Sequence, residues 1–373
     1  MPPRIYLDNN GSTALDPRIC ELLNQSMLML AGNPSSTHSF GQRTRALISK
    51  ARDTIAAYLH VKPTEVVFTS GGTEGANMVL KGIMQKPGGH LITSTVEHSC
   101  VYATAQFLEK NGTEVTFLAP GPMGAVTPEA VKAAIRPNTQ LIALMAVNNE
   151  TGVKTDIEAI AAIAQEASVK LFVDGVALLG KETFVIPAGV SAMSFSGHKC
   201  HAPSGVGIAV IRSGIKLQPL LIGGEQEFGR RAGTENVLGI VALGKAVELL
   251  SLELPRASQQ MKALRDLFEQ EILRQLPNVH VNGSGPRTVN VSNLAFAGCD
   301  GEALLIALDA AGVSASHGSA CSSGALEPSR ILLNMGIPLE LVKGSIRFSL
   351  SRFTTEEEIL RAVEIIVRVI KKS

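Results

Sequence analysis

Short apolar runs alternate with longer helical patterns between residues 66 and 174, and this alternation limits the fold more than any other feature of the sequence. The strand-like runs span 66–68, 91–93, 114–118, 141–147 and 171–173, and the helical patterns span 73–83, 99–110, 128–135 and 157–167. Such repeated units with short loops indicate an α/β fold with a mostly parallel sheet covered on both faces. In such sheets, ligands bind at the carboxyl ends of the strands.

The regions on either side of this alternation complete the predicted organisation. A long helical pattern runs from 236 to 276, and Pro255 is expected to break or kink it, because proline lacks an N–H and clashes with the preceding turn. The last helix is expected to open with a capping box at 354–357. We predict a large domain over residues 15–255 and a smaller α+β domain formed by residues 1–14 and 256–373.

Composition and charge exclude several classes of protein. The chain has 373 residues with 34 Lys plus Arg and 33 Asp plus Glu, a net charge of +1. This balance does not indicate binding to nucleic acid or to an acidic membrane surface. No apolar run approaches the ~20 residues of a membrane helix, and the start lacks the apolar core of a signal peptide. The five cysteines include no CxxC pair, so we expect reduced thiols in the cytoplasm, without disulfides or a metal site.

A lysine and an aspartate follow two of the strand-like runs. The run at 171–173 ends in Asp174, and a second run starting at Ala192 ends in Ser196-Gly197 and delivers Lys199. This pair suits pyridoxal phosphate (PLP), which needs an amine for its Schiff base and an anion beside its protonated pyridine nitrogen. Taken alone, a lysine of this kind is more often an ordinary surface charge at a strand end, and the same alternative is open for the aspartate, so the interpretation depends on the residues that accompany them.

Other polar residues are expected at the same edge of the sheet, each with an ordinary structural alternative. Residues 70–74, Ser-Gly-Gly-Thr-Glu, lie between a strand and a helix and could hold a phosphate, or could form only a tight turn. His98 could stack on a flat cofactor and move protons, or be structural. Residues 148–152 form an Asx-rich turn, and the polar cluster at 8–12 could line a site. Arg347 is either a member of a core ion pair or a binding group for a substrate carboxylate.

One cysteine differs from the others in its surroundings. Cys321 lies in a loop of small residues, between Gly318 and Gly324, where a thiol is accessible and could act as a nucleophile. Three other cysteines are expected to be buried and inert, namely Cys20, Cys100 and Cys299.

Taken together, these pieces resemble the cysteine desulfurases of the class V aminotransferase branch, which supply sulfur for iron–sulfur clusters. The resemblance runs through nearly the whole chain and is carried by ordered motifs. They are YLDNN at 6–10, NPSSTH at 33–38, FTSGGTE at 68–74, EH at 97–98, VNNETGV at 147–153, SFSGHK at 194–199, RAGTENV at 231–237, GSACSSGALEPS at 318–329 and IRFSLSRFTTEEEI at 346–359. The resemblance implies fold type I of the PLP-dependent transferases for the large domain, with the cysteine loop in the small one.

The resemblance also implies a role for each matching residue. Lys199 would carry the Schiff base and move the α-proton, while Asp174 would pair with the pyridinium and His98 would stack on the ring. The phosphate would be held by Gly72, Thr73, Ser196, His198 and, from the other subunit of a homodimer, Thr234. Asn149 would face cofactor and substrate, and Arg347 would bind the substrate carboxylate. Cys321 would attack the sulfur of L-cysteine, keep it as a persulfide and release alanine.

Several positions depart from the family pattern. Ala177 stands where the family has a glutamine that donates to the cofactor's phenolic oxygen, and 202–204 reads Ala-Pro-Ser instead of Gly-Pro-Lys. Glu225 and Phe228 replace a glycine and an arginine near the intersubunit phosphate contact, and His317 replaces a small residue. Since the sequence ends at 371–373, Lys-Lys-Ser, we also expect no tail of the kind on which housekeeping members dock a scaffold protein.

These departures leave three functional hypotheses. The first is an active cysteine desulfurase that hands sulfur to an iron–sulfur scaffold or another thiol acceptor. The second is a catalytically weakened or non-catalytic homologue acting as a binding partner. The third is a related PLP enzyme, such as a selenocysteine lyase or another class V aminotransferase. Retention of Lys199, Asp174, His98 and Cys321 together favours the first.

Overall fold

The computed structural model describes residues 4–29, 31–121, 123–318 and 328–372. Its strands are β1 Ile5–Tyr6, β2 Val66–Thr69, β3 His90–Ser94, β4 Glu114–Leu118, β5 Thr139–Met145, β6 Lys170–Asp174, β7 Ala192–Ser196, β8 Gly207–Ile211, β9 Val279–Val281, β10 Val291–Phe296, β11 Val313–Ser314 and β12 Ser345–Ser349. Its helices are α1 Pro17–Met29, α2 Ser39–Leu59, α3 Gly72–Ile83, α4 Ser99–Lys110, α5 Pro128–Ala134, α6 Ile157–Glu166, α7 Val237–Gln275, α8 Gly301–Ala310, α9 Arg330–Asn334, α10 Leu339–Lys343 and α11 Glu356–Ile370.

The largest sheet has seven strands in the order β2-β8-β7-β6-β5-β3-β4. The pairings from β7 through β6, β5 and β3 to β4 are parallel, whereas β8 runs antiparallel to both β7 and β2. This arrangement confirms the predicted α/β class with a mostly parallel sheet. The carboxyl ends of β5, β6 and β7 therefore lie side by side at one edge.

Both faces of this sheet are buried, because alternate side chains along each strand point to opposite faces. In β6, Leu171 and Val173 join a cluster that includes residues of α2, α6 and α7, whereas Phe172 joins a second cluster with residues of α3 and α4. Within the part of the chain described, no helix is long and apolar enough to cross a bilayer.

A third apolar cluster lies around the strands β10 and β12 and the helices α8 and α11. The antiparallel strands β9, β10 and β12 form a small sheet, and β1 pairs in parallel with β11, Ile5 opposite Val313. The N-terminal strand therefore packs with the C-terminal part of the chain. The division into residues 15–255 and the two remaining segments stays a prediction.

Two local predictions need correction. Helix α7 continues through Pro255, so it is not broken there, while the predicted alternative, a kink, stays a prediction. Buried side chains line α7 on both sides of the proline, Leu250 and Leu254 before it and Met261 after it, and this packing outweighs the ~3 kcal/mol cost of an interior proline. The capping box of α11 lies one residue later than predicted, between Thr355 and Glu358, whose side chains bond each other's backbone N–H.

Candidate active site

A cavity of about 160 Å³ opens at the carboxyl ends of β5, β6 and β7, beside the first turns of α3 and α4. It brings together nine of the eleven side chains or backbone positions singled out from the sequence: Gly72, Thr73, His98, Asn149, Asp174, Ser196, His198, Lys199 and Arg347. The two others lie elsewhere. Thr234 is exposed on the loop before α7, and Cys321 lies outside the described residues.

Lys199 reaches the cavity from a single helical turn that follows β7. The turn is fixed by main-chain bonds from Gly197 N to Val206 O (2.9 Å) and from Cys200 N to Gly197 O (3.0 Å). Lys199 Nζ donates to the carbonyl oxygens of Asn10 and Gly11, the latter at 2.7 Å. The polar cluster at 8–12 thus lines the site, and two of its carbonyls accept hydrogen bonds from the lysine.

Asp174 closes β6 and is 5% exposed. Its Oδ1 accepts a hydrogen bond from Val176 N at 2.9 Å. Burial raises the pKa of this carboxyl above its ordinary value, while the nearby His98, the Val176 amide and Lys199 favour the charged form. A buried anion of this kind is stabilised when a cationic group occupies the cavity beside it.

His98 is the N-cap of α4, and Cys100 lies in the first turn of that helix. His98 Nδ1 accepts from Cys100 N at 3.2 Å and lies 3.1 Å from Cys100 Sγ, which is 4.0 Å from Asp174 Oδ2. The side-chain ligand atoms of His98, Cys100 and Asp174 all lie within 4.8 Å of one another, a set that could also hold a metal ion.

The cysteines differ from what the sequence led us to expect. Cys20 is exposed, and both Cys100 and Cys299 are half-buried, so the prediction that all three are buried is wrong. Cys100 lines the cavity. Burial raises the pKa of its thiol, which keeps the sulfur protonated at neutral pH.

The start of α3 forms an anion-binding turn on the cavity wall. The first helical bond joins Gly75 N to Gly71 O (3.1 Å), so the amides of residues 72–74 have no acceptor within the helix. A Cβ on Gly72 would lie 2.4 Å from Val176 Cγ2, which requires glycine at this position. Ser196 and His198 line the same cavity, and burial, with the positive charges of Lys199 and Lys181, lowers the pKa of His198 to about 4. This histidine is therefore neutral at pH 7.

Arg347 is a member of a buried ion pair, the first of the two alternatives left open by the sequence, and its role in binding a substrate carboxylate stays a prediction. It is 1% exposed in β12, pairs with Asp8 Oδ1 at 2.7 Å and donates to Asn149 O at 3.0 Å, yet it also lines the cavity. Among the described residues, Arg347 Nε and the buried Asn149 Oδ1 have no hydrogen-bond partner. Buried polar atoms of this kind are costly unless a ligand completes their bonding.

Comparison with known proteins identifies the family. The aminotransferase class-V family model matches residues 5–361. The chain belongs to the aminotransferase class-V family. It is 42% identical over its whole length to a cysteine desulfurase IscS of Dictyoglomus turgidum, 96% of which is covered. A solved NifS-like protein has a TM-score of 0.92 and 32% identity, and the match covers 99% of this chain and all of that one. The structure of SspA in complex with cysteine has a TM-score of 0.83 and 31% identity, and the match covers 94% of this chain and all of that one.

Class V aminotransferases and their cysteine desulfurase relatives depend on PLP, and the predicted resemblance and cofactor are confirmed by these matches. The residues present fit that group. The cavity offers an amine, a buried carboxylate and a helix start with free amides, which match the aldehyde, the pyridinium and the phosphate. The orphaned Asn149 Oδ1 at the cavity wall is a further sign that this class-V site takes a polar ligand.

Sequence reasoning missed two titratable side chains that line the cavity, those of Cys100 and Lys181. Cys100 carried a weak signal, since it lies two residues after His98 at the start of a helix. Lys181 carried none, because it lies in an irregular turn seven residues after Asp174, where no periodicity indicates the direction of a side chain.

Proposed function

We propose that this chain is a PLP-dependent cysteine desulfurase that converts L-cysteine to L-alanine, leaves a persulfide on Cys321 and passes the sulfur on for iron–sulfur cluster assembly. The observation that carries the proposal is the meeting of Lys199 and Asp174 in one cavity of a class-V chain. Its 42% identity to a cysteine desulfurase over the whole chain supports the choice of reaction.

Different residues around the cavity would bind different parts of the cofactor. Lys199 supplies the amine for the aldehyde, and Asp174 keeps the pyridine nitrogen protonated. His98 lies beside Asp174 and would stack on the ring. The amides at the start of α3, with Thr73, Ser196 and neutral His198, would hold the phosphate. Asn149, whose Oδ1 is buried without a hydrogen-bond partner, would contact the cofactor and substrate.

The reaction then needs a proton carrier, a carboxylate binder and a sulfur acceptor. PLP, when bound, takes up the electrons released at the substrate's α-carbon. Lys199 Nζ moves the α-proton, and Arg347 binds the substrate carboxylate with a guanidinium that now pairs with Asp8. The Cys321 thiolate attacks the substrate sulfur: an S–S bond forms, the Cβ–S bond breaks with its electron pair going to Cβ, and a proton added there completes alanine.

The deciding experiment measures alanine and sulfide from L-cysteine with the PLP-loaded protein, and alanine and selenide from L-selenocysteine in parallel. Equal amounts of alanine and sulfide in the presence of a thiol reductant support the desulfurase. Turnover of selenocysteine alone would replace it by the selenocysteine lyase, and loading of PLP without turnover of either substrate would support the non-catalytic homologue.

We expect Cys321→Ala to keep its bound cofactor but to lose sulfide release by at least about 100-fold, because the sulfur has no thiol to accept it. Sulfide assay and absorption spectroscopy on the same preparation separate the two effects. Cys20→Ala, which removes an exposed thiol from α1, is the matched control and should release sulfide at the wild-type rate. Wild-type sulfide output from the Cys321→Ala protein would remove that cysteine from the mechanism.

The alanine at position 177 predicts that the absorption of the bound cofactor differs from that in family members with glutamine at this position. Ala177 is half-buried at the cavity wall, where the family's glutamine would donate to the phenolic oxygen of the cofactor. We expect Ala177→Gln to lower the pH midpoint of the bound cofactor's absorption band, since a donor stabilises the more negative form. Absorbance titrations of the two proteins check this, and superimposable curves would contradict it.

We further propose a homodimer in which the partner's Thr234 reaches the phosphate site. Arg231 ties the loop that carries Thr234 to the phosphate turn through its ion pair with Glu74 (Nε to Oε1, 2.9 Å). The same loop exposes apolar surface, with Ile222 84% and Phe228 55% exposed. Sedimentation of the PLP-loaded protein tests the dimer. The sulfur acceptor and the location in the cytoplasm stay predictions from the sequence.

A further inference from the structure

Lys181 is a buried lysine that the reaction described above does not use. It is 1% exposed, lines the cavity and donates from Nζ to the backbone carbonyl of Lys199 at 3.0 Å. A lysine is rarely buried this deeply unless its charge or its hydrogen bonds serve a purpose, because removing an ammonium from water costs several kcal/mol.

The local backbone brings Lys181 to this place. Gly180 adopts φ +79°, and a Cβ on it would lie 2.9 Å from the Cβ of Cys200. Because Gly180 has no side chain, the turn after β6 packs directly on the turn that carries Lys199. Lys181 N also bonds Leu178 O at 3.1 Å, which fixes the start of the lysine side chain.

We propose that Lys181 is a positioning residue for the Schiff-base lysine: it fixes the main chain of Lys199 and, by its positive charge, favours the neutral Lys199 amine that attacks the cofactor's aldehyde. The inference rests on the proposed function only in taking Lys199 as the PLP-binding lysine. A second cation beside a Schiff-base lysine is a known means of releasing its proton.

The charges around Lys181 support this role. Burial lowers the pKa of Lys181 to about 8, so it still carries its charge at pH 7. The Cys200 thiol, whose pKa burial raises to about 11, stays neutral and does not cancel that charge. The Asn10 and Gly11 carbonyls and the Asp174 carboxylate oppose the effect, since they favour the ammonium of Lys199. The other groups that interact electrostatically with Lys181 are His198, His201 and Arg352, and Arg352 pairs with Asp16.

The test follows cofactor loading, not turnover. Apo-protein is mixed with PLP at a series of pH values, and the linkage to Lys199 is trapped with borohydride and quantified by peptide mass spectrometry. We expect Lys181→Met to shift the pH midpoint of the loading rate upward by about one unit and to slow loading at pH 7 by about tenfold. Lys181→Arg keeps a charge and a donor, and should restore the wild-type midpoint.

Controls separate this role from a purely structural one. Lys154→Met removes a lysine that pairs with Glu182 (2.9 Å) outside the cavity lining, and should leave the profile unchanged. If Lys181→Met slows loading equally at every pH, the electrostatic role is overturned. If Lys181→Met does not fold, the pH dependence of PLP loading by the wild-type protein still tests the proposal. A loading midpoint near ~10.4, the ordinary pKa of lysine, would contradict it. A protein that loads PLP normally but releases no alanine would refute the desulfurase and leave this inference standing.

Discussion

Lys199→Ala should fold normally and lose alanine production from L-cysteine by at least about 10⁴-fold. The variant lacks both the amine that captures the cofactor and the base that moves the α-proton, and general acid–base catalysis alone contributes 10²–10⁴-fold. The apo-protein loses two hydrogen bonds, to the carbonyls of Asn10 and Gly11, each worth about 1 kcal/mol. Alanine assay and thermal unfolding of the same preparation measure the two effects.

Lys199→Arg is the informative companion to this variant. Arginine keeps a positive charge that can donate to the Asn10 and Gly11 carbonyls, but it cannot form a Schiff base at neutral pH. We therefore expect apo stability close to wild type together with the same loss of alanine production. Substantial alanine release by either variant would place the cofactor-binding amine elsewhere, and Lys181 would be the first candidate because it lines the same cavity.

The part of the site that the sequence predicted depends on regular structure. Asp174 and Lys199 each follow an apolar run, and parallel strands bring their carboxyl ends to one edge, so their meeting follows from the pattern. The amides at the start of α3 were predictable for the same reason. The antiparallel direction of β8 was not predicted, because a strand buried on both faces has the same apolar pattern in either direction.

What the sequence did not reveal depends on packing between irregular segments. Lys181 reaches Lys199 only because Gly180 lets two turns approach within van der Waals contact, and no local pattern encodes such an approach. Cys100 faces the cavity because His98 caps the helix and orients its first turn. Helix α7 continues through Pro255 for a similar reason. The burial of its side chains in two apolar clusters outweighs the strong preference of proline against a helix interior.

Asp174→Asn should stabilise the apo-protein at pH 7 and weaken PLP binding by about 100-fold. An amide preserves the bond from Val176 N and removes the buried charge, but it cannot balance a protonated pyridine nitrogen, and loss of a buried ionic partner costs about 3 kcal/mol or more. Thermal unfolding of the apo-proteins and equilibrium titration with PLP measure the two opposite effects. Asp156→Asn, at the N-cap of α6, is a matched control away from the cavity.

The stabilisation of the apo-protein by Asp174→Asn should increase with pH. Burial raises the pKa of Asp174 in the folded apo-protein, so between its unfolded and folded pKa values the native state binds more protons than the unfolded state, and stability falls as pH rises. The advantage of Asp174→Asn should thus be absent below the unfolded pKa and grow toward pH 7. Neighbouring Glu97, whose pKa burial raises to about 8, is protonated throughout this range and adds no charge of its own. An apo Asp174→Asn protein that is less stable than wild type at pH 7 would mean that His98 and Lys199 more than compensate the buried carboxylate before any cofactor binds.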